Sequence, residues 1–117
     1  MICDDEQDIL NIYKRVLQLR FNVITVCSGT DCIEKYITQQ KSGSKIDILL
    51  LDYRLGDMLG NEVACKIKGL NGTKIVLISA YDLDELMIKD LKEKHCIVTN
   101  MKKPITLSSL ANKLDSL

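Results

Sequence analysis

Ile46-Asp47-Ile48-Leu49-Leu50-Leu51-Asp52 is the stretch that decides the fold. Apart from Asp47 it is apolar up to Leu51, and it ends on a carboxylate. A strand that shows one face to water alternates apolar and polar residues, whereas a strand buried on both faces is apolar almost throughout. Such strands belong to parallel sheets covered by helices on either side. Ile75-Val76-Leu77-Ile78 is a second run of the same kind and ends at Ser79-Ala80. Between the two runs lie a Gly- and Asp-rich loop, a short helix marked by Val63 and Ile67, and a turn expected at Asn71-Gly72.

Towards the N-terminus, Lys41-Ser42-Gly43-Ser44-Lys45 is the most loop-like stretch, preceded by Cys32, Ile33, Tyr36 and Ile37 at helical spacing. Ser28 and Gly29 separate that helix from Val23-Ile24-Thr25-Val26-Cys27, a β-branched run that reads as a strand. Residues 6–19 carry Ile9, Ile12, Tyr13, Val16 and Leu17, the stripe of an amphipathic helix, and Met1-Ile2-Cys3 is what remains of a first strand. Towards the C-terminus, Leu83, Leu86, Met87 and Leu91 mark a helix among many charges, and Cys96-Ile97-Val98-Thr99 reads as a last strand. Lys103-Pro104 is a break, and Thr106 is a good N-cap for a helix holding Leu107, Leu110 and Leu114. Strand and helix alternate five times, which predicts an α/β chain with a doubly wound parallel sheet, read as one domain over 1–117.

The composition fits a globular domain: 117 residues, 46% hydrophobic and 27% charged. Lys plus Arg equal Asp plus Glu at 16 each, so nothing in the charge balance argues for nucleic acid or an anionic membrane as the main partner. No apolar run approaches the ~20 residues of a membrane span, and the acidic start has no signal-peptide layout, so a cytoplasmic location is expected. The five cysteines include no C-x-x-C pair and His95-Cys96 lacks zinc-site spacing. Cys3, Cys27 and Cys96 are expected as small buried hydrophobes, and His95 as an exposed residue at a helix end.

In an open parallel sheet, ligands bind at the carboxyl ends of the strands. Here those ends carry Asp4-Asp5-Glu6, Asp52, Ser79 and Lys103. Any one of them could be a helix cap; acids, a hydroxyl and an ammonium converging from four strand ends make a site. Crowded carboxylates need a hard cation to stay ionised, and Mg²⁺ (or Mn²⁺) suits an all-oxygen set that it shares with water and phosphate. A carboxylate beside such an ion can attack phosphorus and form an acyl phosphate. The ammonium and the hydroxyl can hold the phosphoryl oxygens.

Asp4-Asp5-Glu6, Leu49-Leu50-Leu51-Asp52, Ser79-Ala80 and Lys103-Pro104, in this order and spacing, resemble the motifs of the receiver domain of two-component response regulators, of the single-domain chemotaxis-regulator kind. The resemblance covers nearly the whole chain. It implies a (βα)5 fold with flavodoxin-like strand order 2-1-3-4-5. It implies Asp52 as the phosphoacceptor, Asp5 as a direct Mg²⁺ ligand, Asp4 as a ligand through water, and the backbone carbonyl of Arg54 as a further ligand alongside Asp52. Ser79, Ala80 and Lys103 would bind the phosphoryl group, Glu6 would stand behind the ligands, and the Lys103-Pro104 bond would be cis. The donor would be a sensor histidine kinase or a phosphotransfer protein. A downstream partner would dock on the face built from 83–94, 96–99 and 106–117, and a homodimer is a further possibility. The domain would not be an enzyme beyond assisting its own phosphorylation and dephosphorylation, and would bind neither nucleic acid nor membrane directly.

This chain departs from the family pattern at several points. Only three residues precede the acidic pair. Gly56 stands where proline is frequent, although Gly60 matches. The span from Ser79 to Lys103 is slightly long. The position of the usual switch aromatic is Asn100, and the positions flanking the water approach to the acceptor are Arg54 and Tyr81. The alternative reading is a protein-interaction module that keeps the fold without signalling through phosphate. A haloacid-dehalogenase-type hydrolase would need a D-x-D where Asp52-Tyr53-Arg54 stands, and a flavin binder would not place acids after its first strand.

Overall fold

The computed structural model describes residues 1–68 and 72–117. The elements follow the expected alternation: β1 (Ile2–Cys3), α1 (Gln7–Leu17), β2 (Thr25–Val26), α2 (Gly29–Lys41), β3 (Ile48–Asp52), α3 (Gly60–Ile67), β4 (Lys74–Ser79), α4 (Glu85–Glu93), β5 (Thr99–Lys102) and α5 (Leu107–Asp115). The strands form one sheet in the order β2-β1-β3-β4-β5, every pairing parallel. The turn expected at Asn71-Gly72 lies partly outside the described residues, and Gly72 itself has φ of 83°.

The runs that decided the fold divide by parity between two cores. Leu49, Leu51, Ile75 and Leu77 join Cys3, Cys32, Val63 and Leu91 on the side of α2, α3 and α4. Leu50, Val76 and Ile78 join Ile2, Leu10, Tyr13, Leu110 and Leu114 on the side of α1 and α5. Successive strand side chains point to opposite faces, so two buried faces require this unbroken apolar sequence. β1 is two residues long but central, and Met1 extends its ladder: its amine donates to the Ile48 carbonyl at 2.8 Å, and Leu50 N–H donates to the Met1 carbonyl at 2.9 Å.

Several boundaries differ from the sequence reading. The last strand is Thr99–Lys102, not Cys96 to Thr99. Cys96 and Ile97 are buried but close off α4 instead of pairing in the sheet. His95 is exposed at φ of 61°, its N–H reaches the Lys92 carbonyl at 3.1 Å, and Cys96 N–H reaches the Leu91 carbonyl at 2.8 Å. This left-handed helix stop, with Cys96 against Leu91, uses up the apolar residues that looked like strand. Cys27, expected buried, is exposed next to the edge strand β2. Ile12, Ile37 and Leu86 are exposed members of stripes whose buried centres are Leu10 and Tyr13, Cys32 and Tyr36, and Leu91. The Thr106 cap is as expected, its hydroxyl accepting from Ser109 N–H at 3.1 Å.

Candidate functional site

The carboxyl ends of β1, β3, β4 and β5 meet at one edge. Asp52 follows the parity of Ile48 and Leu50 and ends β3 buried, because Tyr53 N–H is still tied to the Ile78 carbonyl of β4 at 2.7 Å. Gly60 starts α3 directly beneath it: a Cβ there would run into the Asp52 carbonyl oxygen and come within 2.9 Å of Leu77 Cδ1. Glycine at this position therefore lets the β3–α3 loop fold back under the acceptor without a clash.

Asp4, at the end of β1, is 3% exposed, and its carboxylate accepts from Glu6 N–H at 2.9 Å and from Lys103 Nζ at 3.2 Å. Lys103 Nζ also lies 3.1 Å from Asp52 Oδ1, so one ammonium bridges the two buried carboxylates. It is delivered there by β5, with Lys103 N–H bonded to the Ser79 carbonyl at 2.7 Å and the Lys103-Pro104 bond cis. Ser79 is buried at the end of β4, and its hydroxyl accepts from Tyr81 N–H at 2.9 Å.

The electrostatics follow from this crowding. Burial, and then the Asp4 charge, push the Asp52 carboxyl up to about 6 against the pull of Lys103. Burial by itself would lower the Lys103 ammonium, but its bonds and charge pairing with Asp52 and Asp4 hold it above the ordinary lysine value. Asp4, Asp5 and Glu6 bring carboxylate oxygens within 4.8 Å of one another. Among the described residues this is the one such group able to hold a metal, and its donors are all oxygen, the set a hard divalent cation takes. The structure thus gives Glu6 a more direct place than the sequence reading did, while Asp52 shares Lys103 with Asp4 of this trio.

A cleft of about 240 Å³ opens over the acceptor, lined by Asp5, Glu6, Asp52, Arg54, Ser79, Ala80, Tyr81 and Lys103 among others. Of the site residues read from the sequence, Asp5, Asp52, Arg54, Ser79, Ala80, Tyr81 and Lys103 come together here; Asp4 is buried and paired with Lys103, and Asn100 and Pro104 lie outside the lining. Arg54 and Tyr81 do not stand apart: the guanidinium stacks 4.8 Å from the centre of the tyrosine ring and roofs one side of the cleft. Asn100 instead borders a neighbouring cavity of about 350 Å³, with Ser79, Tyr81, Leu83, Ile88 and Met101 around it. The sequence reading missed Asp57. Its carboxylate accepts from Gly29 N–H at 2.9 Å, Thr30 N–H at 3.0 Å and the Thr30 hydroxyl at 2.8 Å, tying the acceptor loop to the start of α2.

The family model of the response regulator receiver domain matches residues 1–115. A curated relative, the nisin biosynthesis regulatory protein NisR of Lactococcus lactis subsp. lactis, is 30% identical over 91 residues, covering 78% of this chain and 38% of NisR. A CheY-like receiver domain protein from Methanospirillum hungatei JF-1 superposes with a TM-score of 0.82 at 21% identity, over 98% of this chain and 88% of that one. The receiver domain of the response regulator NarL from Mycobacterium tuberculosis gives 0.79 at 23% identity, over 98% and 90%. This chain therefore belongs to the response regulator receiver domain family. That membership implies phosphoacceptor signalling with a kinase or phosphotransfer protein and downstream partners. Among the described residues no helix is long and apolar enough to cross a membrane.

Proposed function

We propose that the chain is a phosphoacceptor signalling domain that takes a phosphoryl group onto Asp52 from a phosphohistidine donor and relays or reports it to a partner protein. The observation that carries this reading is the convergence of Asp52, Lys103 and Ser79 in one cleft beside the acidic trio. A carboxylate oxygen of Asp52 forms the new bond to phosphorus as the bond from phosphorus to the donor's nitrogen breaks, and that nitrogen leaves with its electron pair and takes up a proton. Lys103 already faces Asp52 and is placed to hold one phosphoryl oxygen. The Ser79 hydroxyl can turn from the Tyr81 amide to another. Asp4, Asp5, Asp52 and the Arg54 carbonyl are the groups that would hold a Mg²⁺ ion, which when bound neutralises charge on the phosphoryl oxygens. The all-oxygen trio and an Asp52 raised by its neighbours fit that ion.

Three further assignments belong to the same reading. Arg54 and Tyr81, stacked over the cleft, shield the acyl phosphate from in-line water. The α4-β5-α5 face carries the downstream partner. The cavity beside Asn100 favours a relay weaker than usual or differently routed, because Asn100 brings no aromatic bulk to the space next to Ser79; it is also the feature that keeps the phosphate-independent interaction module as a second reading. Incubation with acetyl phosphate, with Mg²⁺ or with EDTA, separates the two. Gain of one phosphoryl group in Mg²⁺ alone supports the acceptor reading, and an unchanged mass in both supports the module.

A further inference from the structure

The β3–α3 loop, residues 53–59, is held at its base by Gly60 N–H on the Tyr53 carbonyl at 2.6 Å and internally by Leu55 N–H on the Met58 carbonyl at 3.2 Å. Leu55 is buried, which fixes the near half of the loop. The far half turns through Gly56 at φ of 83°, and its polar anchor outside the loop is Asp57. That one carboxylate takes three hydrogen bonds of 2.8 to 3.0 Å from Gly29 and Thr30. Next to it Met58 packs where a Cβ on Gly29 would stand, with Met58 Sδ at 2.9 Å from that point. The loop and the start of α2 are thus keyed together by polar and steric contacts at once.

Helix α2 does not depend on this contact for its own start. Ser28 already caps it, its hydroxyl accepting from Asp31 N–H at 3.1 Å, and Cys32 and Tyr36 bury its inner face. The loop, by contrast, carries Arg54, whose carbonyl and side chain both act at the acceptor in the reading above. We propose that Asp57 is a positioning residue, clamping the acceptor loop to the α2 N-terminus so that Arg54 is presented to the metal and phosphoryl site. The inference rests on that reading of the site. The Asp57 carboxyl is held down to about 2 by the Gly29 and Thr30 amides, so the clamp stays charged at neutral pH.

The test is a calorimetric Mg²⁺ titration of wild type, Asp57→Ala, Asp57→Asn and Ser28→Ala, each paired with a melting curve in EDTA. Ser28→Ala weakens the same helix start without touching the loop, and so controls for a merely structural role. Asp57→Ala is expected to bind Mg²⁺ roughly tenfold more weakly, the usual scale for a residue that orients a ligand. Asp57→Asn, which keeps one accepting oxygen, should fall between it and wild type, and it carries the test if the alanine variant does not fold. Ser28→Ala should bind as wild type does even where its melting point falls. Equal affinity in wild type and Asp57→Ala overturns the clamp alone, as does an equal loss in Ser28→Ala. A wild type that binds no Mg²⁺ overturns the metal-dependent reading and the clamp with it.

Discussion

Replacing Asp52 by asparagine should make the metal-free protein more stable at neutral pH, although it removes one partner of a buried ion pair. The carboxyl of Asp52 titrates near 6 in the folded chain against an ordinary 3.8. Folding therefore favours the protonated acid. This contribution is fully present below about pH 4 and is lost as pH rises through 6. The difference corresponds to about 3 kcal/mol if nothing relaxes. Movement of the exposed Asp5 and Glu6 and counter-ion screening reduce it to about 1–2 kcal/mol. Asparagine keeps the shape of the protonated acid, and Lys103 keeps Asp4 as a partner at 3.2 Å. Denaturation in EDTA at a series of pH values from about 4.5 to 8 should show the variant's advantage growing with pH, to roughly 4–8 °C in melting temperature. Added Mg²⁺ should then narrow the gap, because ligand binding stabilises the chain that binds it better. A variant less stable than wild type in EDTA at pH 8, or a gap that does not change with pH, would show that Lys103 outweighs the carboxylate crowding.

Other outcomes follow from the same geometry. Asp5→Ala should weaken Mg²⁺ binding by at least roughly tenfold and Ser79→Ala by less than about twofold, as read by calorimetry. The double variant Arg54→Asn with Tyr81→Glu should lose phosphate about tenfold faster than wild type, a barrier lower by about 1.4 kcal/mol; release of inorganic phosphate from the labelled protein measures it, and equal half-lives would remove the shielding role. Gly60→Ala should cost about 1–3 kcal/mol in urea denaturation, because the new Cβ meets the backbone of the acceptor itself.

The fold was legible where burial on both sheet faces imposes unbroken apolar strands, as at Leu49–Leu51 and Ile75–Ile78 split between two cores. The site was legible because a parallel sheet sends every strand end to one edge, so Asp4, Asp52 and Ser79 needed only correct strand ends to be brought together, whereas Lys103 was marked by the Lys103-Pro104 pair despite a misplaced β5. β5 was misplaced because its own residues, Thr99 to Lys102, are half-polar and lie on the sheet edge, while the more apolar Cys96 and Ile97 serve the helix stop before it. Asp57 escaped because an aspartate in a glycine-rich loop reads as turn chemistry. Its partners, Gly29 and Thr30, lie in a helix far away in sequence, already supplied with its own cap by Ser28. The Arg54–Tyr81 stack escaped for a similar reason: the two flanking positions could be named from the sequence, but their contact depends on how two loops face each other.

Whether Asp52 forms the acyl phosphate is read by reduction with borohydride after treatment with acetyl phosphate and Mg²⁺. Hydride reduces an aspartyl phosphate to homoserine and leaves free carboxylates untouched, so the acceptor is marked in the chain and located by peptide mass spectrometry. Homoserine is expected at position 52, dependent on Mg²⁺, and nowhere in Asp52→Asn. Homoserine at position 4 or 5 instead, or wild-type labelling with position 52 unchanged, would contradict Asp52 as the acceptor.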